Sequence, residues 1–181
     1  MRIVLFLLCA YPALASGQVR EEVRFGVRYN EDLYPQLTPR QALNSVLRAL
    51  EKERYDYFVA FLLDRGLVEE QLRASFPNFE KKAQEQVDRE TLRKKGLDPQ
   101  FIRLRVKELA TQASFDNLVR RVRAKLEDDP EALKELRLLA REGQFVDGLE
   151  ASSVKHDLIK GRALFLRLTN GRWHLENKMQ E

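Results

Sequence analysis

Apolar and polar residues alternate over residues 22–30, where Val23, Phe25, Val27 and Tyr29 interleave with Arg24, Gly26 and Arg28. That period of two predicts one half-buried strand at a sheet edge. The period then lengthens. Thr38-Pro39-Arg40-Gln41 opens a helix: Thr38 caps it, Pro39 takes the first helical position and Gln41 closes a capping box. Leu43, Val46, Leu47 and Leu50 follow as one apolar stripe. Past a charged break at residues 51–54, Asp56 is placed to cap a second helix with Tyr57, Phe58, Phe61 and Leu62, ending near Gly66. Val68, Leu72 and Phe76 mark a third helix closed by Pro77. Residues 79–95 form a largely polar fourth, with Ala83, Val87 and Leu92 as its thin apolar face. Asp98-Pro99 and Asp129-Pro130 repeat the start of a capping residue before proline. The first opens a helix carrying Ile102, Val106, Leu109 and Ala113, after which Ser114 caps another with Phe115, Leu118, Val119, Val122 and Leu126. The second opens one carrying Leu133, Leu136, Leu139 and Ala140, stopped by Gly143.

From Gln144 the period returns towards two. Residues 150–156 predict a strand and residues 157–161 a turn; residues 162–177 then read RALFLRLTNGRWHLEN. Asn170-Gly171 tolerates φ > 0 at both central positions of a type I′ turn. Folding about it pairs Thr169 with Arg172, Leu168 with Trp173, Arg167 with His174 and Leu166 with Leu175. Leu164, Leu166, Leu168, Trp173 and Leu175 then share one face, and Phe165, Arg167, His174 and Glu176 the other; a one-residue slip would mix the two. Helices gathered ahead of an antiparallel sheet predict an α+β fold. Its helix-rich N-terminal and central part packs on a small sheet formed mainly by a C-terminal three-stranded meander. The aromatic helix is the expected cover for the hairpin's apolar face, and Tyr57, Phe61 and Trp173 are the expected lining of a pocket between helices and sheet.

The first residues stand apart. Arg2 precedes an unbroken apolar run from Ile3, Pro12 breaks it, and Ala13-Leu14-Ala15 offers the small-x-small pattern of a signal peptidase site. The run is too short to span a bilayer. The chain therefore divides into a signal peptide at 1–15, an extension with the edge strand at 16–37, and a single α+β domain at 38–181. Export implies a periplasmic or secreted protein with no membrane-spanning segment once the signal is removed. Cys9, the one cysteine, lies in the apolar run, so the mature domain has no disulfide and no cysteine ligand or nucleophile. With 181 residues, 44% of them hydrophobic and 33% charged, the core alone suffices.

Chemistry is sparse. His174 alternates with Trp173 and Leu175 on the face away from the apolar stripe, and reads as a partly solvated surface side chain. His156-Asp157 enters a turn, where aspartate is expected for turn chemistry alone. No phosphate-binding glycine loop, HExxH, GxSxG or calcium-loop spacing occurs; no cofactor or metal is expected, and no catalytic residue is assigned. One bias remains. Residues 81–126 hold thirteen Lys or Arg against six Asp or Glu, although the whole chain has a net charge of only +4. Arg120, Arg121, Arg123 and Lys125 cluster on one helix. They read either as a solvated face or as a binding surface for an acidic polymer or an anionic envelope surface. After export, nucleic acid is not an expected partner.

The opening helices, TPRQALNSVLRALEKERYDYFVAFLL, together with the ending GRALFLRLTNGRWHLEN, resemble the nuclear-transport-factor-2-like superfamily of cone-shaped α+β folds, in particular its small exported bacterial members. The resemblance rests on residues 38–63 and 150–177, with Gly171-Arg172-Trp173 matching the superfamily's frequent end of the last strand. It implies an opening helix pair packed on a curved antiparallel sheet. The superfamily includes isomerases, dehydratases, transport factors and non-catalytic modules, so the fold does not dictate the function. The leading expectation is an exported, non-catalytic binding or envelope-interaction domain. The alternative is an isomerase- or dehydratase-like enzyme with its pocket between helices and sheet, which requires Asp56, Asp157 or a histidine inside a cavity.

Overall fold

The computed structural model describes residues 22–91, 98–159 and 163–176. Residues 1–15, where a signal peptide is expected, lie outside the described residues, and Cys9 with them. Strands β1 (Val23–Arg24) and β2 (Val27–Arg28) precede five helices: α1 (Pro39–Glu51), α2 (Tyr55–Tyr57), α3 (Arg65–Thr91), α4 (Pro99–Asp128) and α5 (Pro130–Glu142). Strands β3 (Gln144–Asp147), β4 (Ala151–Lys155), β5 (Leu164–Thr169) and β6 (Arg172–Glu176) follow. The fold is α+β, and the C-terminal sheet is an antiparallel meander in chain order. It has four strands where the periodicity predicts three, because Gln144–Asp147 adds one at the edge.

The hairpin register is the one the turn and pattern predict. Thr169 faces Arg172, Leu168 faces Trp173, Arg167 faces His174 and Leu166 faces Leu175. Asn170 and Gly171 hold φ of 53° and 77°, the left-handed pair that a type I′ turn requires. Leu166 and Trp173 are buried on the inner face, which continues across the sheet through Leu164, Val154 and Phe145. The outer edge of β6 is covered too. Trp173 donates its N–H to Gln36 O at 2.9 Å, and Gln36 Nε2 donates to Trp173 O at 2.8 Å. Asp64 N donates to Leu175 O at 2.9 Å, beside a parallel bridge from Leu63 to Leu175. An edge strand's free backbone groups are thereby paired.

At α1 the capping chemistry is as read. Thr38 Oγ1 accepts from Gln41 N at 3.2 Å, while Gln41 Oε1 reaches back to Leu37 N at 3.1 Å. The aromatic helix differs from expectation. Only Tyr55–Tyr57 is α-helical; Phe58–Leu62 continues as a wider π-helical turn, closed by Leu63 N donating to Phe58 O at 3.0 Å. All five side chains of that turn are buried. It ends at Leu63, in extended backbone, rather than near Gly66, because Asp64 caps the next helix: its Oδ1 accepts from Leu67 N at 3.0 Å. Asp56 does not cap; its carboxylate pairs with Arg54 at 3.0 Å. The carbonyls freed at the end of the π turn are taken by side chains. Arg24 donates to Ala60 O, and Gln36 Nε2 and His174 Nδ1 both meet Phe61 O at 3.0 Å.

Two predicted breaks are absent. α3 runs through Pro77, and α4 runs through Ser114. Proline inside a helix costs about 3 kcal/mol, but α3 and α4 lie side by side as an antiparallel pair, and α3 is about 40 Å long. Ala83, Val87, Val106 and Ala110 form a second small core between them, flanked by Phe76, Phe79, Ile102 and Leu109. That packing outweighs one lost hydrogen bond. Ser114 is fully buried and donates back to Ala110 O at 2.8 Å, which satisfies its hydroxyl within a continuous helix.

The N-terminal alternation is not one strand. Phe25 and Gly26, with φ of 52° and 77°, turn the chain back so that Val23–Arg24 pairs with Val27–Arg28 in a separate two-stranded sheet. The Phe25 ring stacks on Phe115 of α4 at 4.6 Å, and this contact holds an aromatic residue in a backbone conformation it rarely adopts. Val27, Tyr34 and Gln36 are buried in the main core, so this segment is part of the domain's packing.

Candidate functional site

A groove of about 490 Å³ opens between α3, α4 and the β5–β6 hairpin. Ligand-binding clefts commonly span ~300–1,000 Å³. Leu118, Val122 and Leu126 recur every four residues and therefore form one continuous apolar wall on α4. Phe58, from the π turn, and Leu63 face them, and Leu164 and Leu175 of the hairpin form the floor. Arg121 and Lys125, one helical turn apart, stand on the same side of α4. Arg121 Nη2 donates to Gln71 Oε1 on α3 at 3.0 Å. Among the described residues, neither Arg121 nor Lys125 forms an ion pair with a carboxylate. Glu176, at the end of β6, also borders the groove, and its charge is met by Arg167 at 2.6 Å.

The four-residue basic cluster is therefore divided by helix geometry. Arg121 and Lys125 border the groove, whereas Arg123, two residues from each, projects elsewhere, pairs with Glu127 at 2.7 Å and lies 5.9 Å from the Tyr55 ring centroid. Arg120 is exposed and does not line the groove. The expected pocket residues lie deeper. Tyr57, Phe61 and Trp173 are 1%, 2% and 6% exposed and belong to the packed core. Tyr57 sits between Tyr34 and Phe61, with ring centroids 4.2 Å and 5.1 Å away. Burial raises its phenol pKa above the ordinary value, and its oxygen accepts from Asn30 N at 3.1 Å. Phe58, the next residue, is also buried, at 6%, but reaches the lining of the groove. Leu118, Val122 and Leu126 were visible as an apolar stripe, but nothing in the pattern distinguished a groove wall from a core contact.

The acid–base candidates do not meet in this groove. His174 is half-buried, and its Nδ1–H donates to Phe61 O. Burial holds its pKa below the usual histidine value, against the opposing effect of that hydrogen bond. His156 Nδ1 accepts from Leu158 N at 3.1 Å, which ties the imidazole to the turn after β4, and its Nε2 lies 3.6 Å from Glu142. Asp157 is exposed. At Asp56 burial disfavours ionisation, but the Arg54 hydrogen bond prevails and keeps its pKa below the usual carboxylate value. Among the described residues no cluster of three or more His, Cys, Asp or Glu is placed to hold a metal ion, and no helix is long and apolar enough to cross a membrane.

Comparison with protein-family models, with curated proteins and with solved structures finds no match for this chain.

Proposed function

We propose that this chain is an exported, non-catalytic binding domain that engages an anionic component of the cell envelope at the groove beside α4. The observation that carries this reading is the pairing of an apolar trough with two cations, Arg121 and Lys125, that have no carboxylate partner among the described residues. An apolar trough favours an amphiphilic envelope component over an acidic polysaccharide, whose hydroxyls would lose water there without gaining partners. The enzyme alternative calls for a free titratable acid or base in the cavity; Asp56, Asp157 and both histidines are engaged or placed elsewhere, and Glu176, which borders the groove, is paired with Arg167. The likeness to the nuclear-transport-factor-2-like superfamily is part of the same proposal. It draws support from α1 lying against the last strand of an antiparallel meander that carries Gly171-Arg172-Trp173.

Export rests on the order of Arg2, apolar run and Ala13-Leu14-Ala15. The intact mass of exported protein should correspond to a chain beginning at or just after Ser16; a full-length folded product would remove this part of the proposal.

The binding reading is tested by co-sedimentation with vesicles rich in anionic phospholipid. Wild-type protein should bind at low salt and release as salt shortens the screening length to about 8 Å or less. Removing both cations, with Arg121→Ala and Lys125→Ala together, should weaken binding by about thirtyfold, from roughly 1 kcal/mol per basic residue near the surface. Lys134→Ala, on α5, should leave it unchanged. Absence of binding at low salt, or equal loss in the Lys134→Ala control, would refute the reading.

A further inference from the structure

We propose that the groove takes one single-chain anionic amphiphile: its acyl chain against Leu118, Val122 and Leu126, its acidic head between Arg121 and Lys125. This rests on the binding reading above and names the ligand. The lining divides by chemistry across the groove: buried and half-buried apolar side chains line it, and exposed Arg121 and Lys125 border it. α4, the π turn and the hairpin supply apolar side chains from three directions, so a chain lying in the trough is desolvated on most sides. The three α4 residues cover about 12 Å of helix, a length suited to a medium acyl chain. A floor of half-buried Leu164 and Leu175 offers no side-chain hydrogen-bonding group that a sugar or peptide backbone would need.

The rim of the groove beside α4 has the opposite character. Arg121 gives Gln71 one guanidinium hydrogen bond, at 3.0 Å, and retains donors for an anion. Lys125, one turn along, adds an ammonium with no carboxylate partner among the described residues. Glu176 does not cancel them, because Arg167 holds its carboxylate at 2.6 Å. A carboxylate or a phosphate monoester on the end of the chain meets the same two cations, and both head groups belong in the test.

The experiment is titration calorimetry on the full mature chain with dodecanoate and with dodecyl phosphate, each below its micelle concentration. Dodecyl maltoside supplies the same chain with a neutral head, and inorganic phosphate supplies a head without a chain. Both anionic amphiphiles should bind with one-to-one stoichiometry, and the maltoside and phosphate at least tenfold more weakly, as each lacks one half of the recognition. Val122→Trp, which fills the trough, should abolish binding. Lys125→Glu, at an exposed position that leaves the fold intact, should weaken the anionic amphiphiles by about thirtyfold for a two-unit change of charge and leave the maltoside unchanged. Equal affinity for neutral and anionic heads overturns the head-group assignment, and wild-type affinity in Val122→Trp overturns the groove. Vesicle binding without monomer binding overturns this inference while the broader reading stands; loss of both overturns both. Self-association that Val122→Trp abolishes, with no amphiphile bound, gives the groove to a second copy and also overturns the inference.

Discussion

Replacing Trp173 with alanine is expected to destabilise the domain by about 3–5 kcal/mol, the usual range for removing a buried aromatic ring. The ring faces Leu168 across the hairpin and is 6% exposed. Its backbone is fixed as well: Gln36 accepts from the Trp173 N–H and donates to the Trp173 carbonyl. The strand therefore cannot move inward to close the cavity, and it is incomplete collapse that makes large-to-small changes costly. Trp173 is the only tryptophan, so urea unfolding should be followed by circular dichroism rather than by fluorescence. A loss below about 1 kcal/mol, within the range of ordinary substitutions, would show that the ring is not the anchor of the sheet.

Gly143→Ala is expected to cost about 3 kcal/mol, the upper end of the overpacking range. Gly143 has φ of −62°, which any residue adopts, so its requirement is space rather than conformation. A Cβ there would stand 2.3 Å from Leu139 O and 2.5 Å from Val154 Cγ2. One obstacle is helix backbone and the other a fully buried side chain, so neither yields cheaply. Gly171 makes the contrast. Nothing lies within 4 Å of a Cβ at that position, and only its φ of 77° opposes a side chain, at roughly 1–2 kcal/mol. Asparagine, which tolerates the left-handed region, should rescue position 171 and fail to rescue position 143. Thermal melts of Gly143→Ala, Gly143→Asn, Gly171→Ala and Gly171→Asn separate the two causes. Rescue at 143 would mean that the α5–β3 junction has room.

Much of the fold was legible where the controlling interactions are short-range. The β5–β6 register follows from Asn170-Gly171 together with alternation on both arms. The starts of α1, α4 and α5 follow from Thr38, Asp98 and Asp129, each before a proline and each accepting a hydrogen bond from a nearby backbone N–H. Helical spacing also places Arg121 and Lys125 of the basic cluster on one side of α4, but cannot say what that side faces.

The amino-acid sequence by itself determined the α+β class, the hairpin and the capped helix starts, because turn torsions, caps and alternation act within a few residues. Tertiary structure alone decided where helices continue. Pro77 and Ser114 look like breaks locally and are overridden by the second core between α3 and α4. It also turned residues 22–30 into a hairpin, since the stack of Phe25 on Phe115 joins positions far apart in the chain. The groove belongs to this second group. Its walls come from the π turn, α3, α4 and the last two strands, and each wall read alone is an ordinary apolar stripe. Only their packing shows that Tyr57, Phe61 and Trp173 are enclosed while Val122 and Leu175 border an open trough.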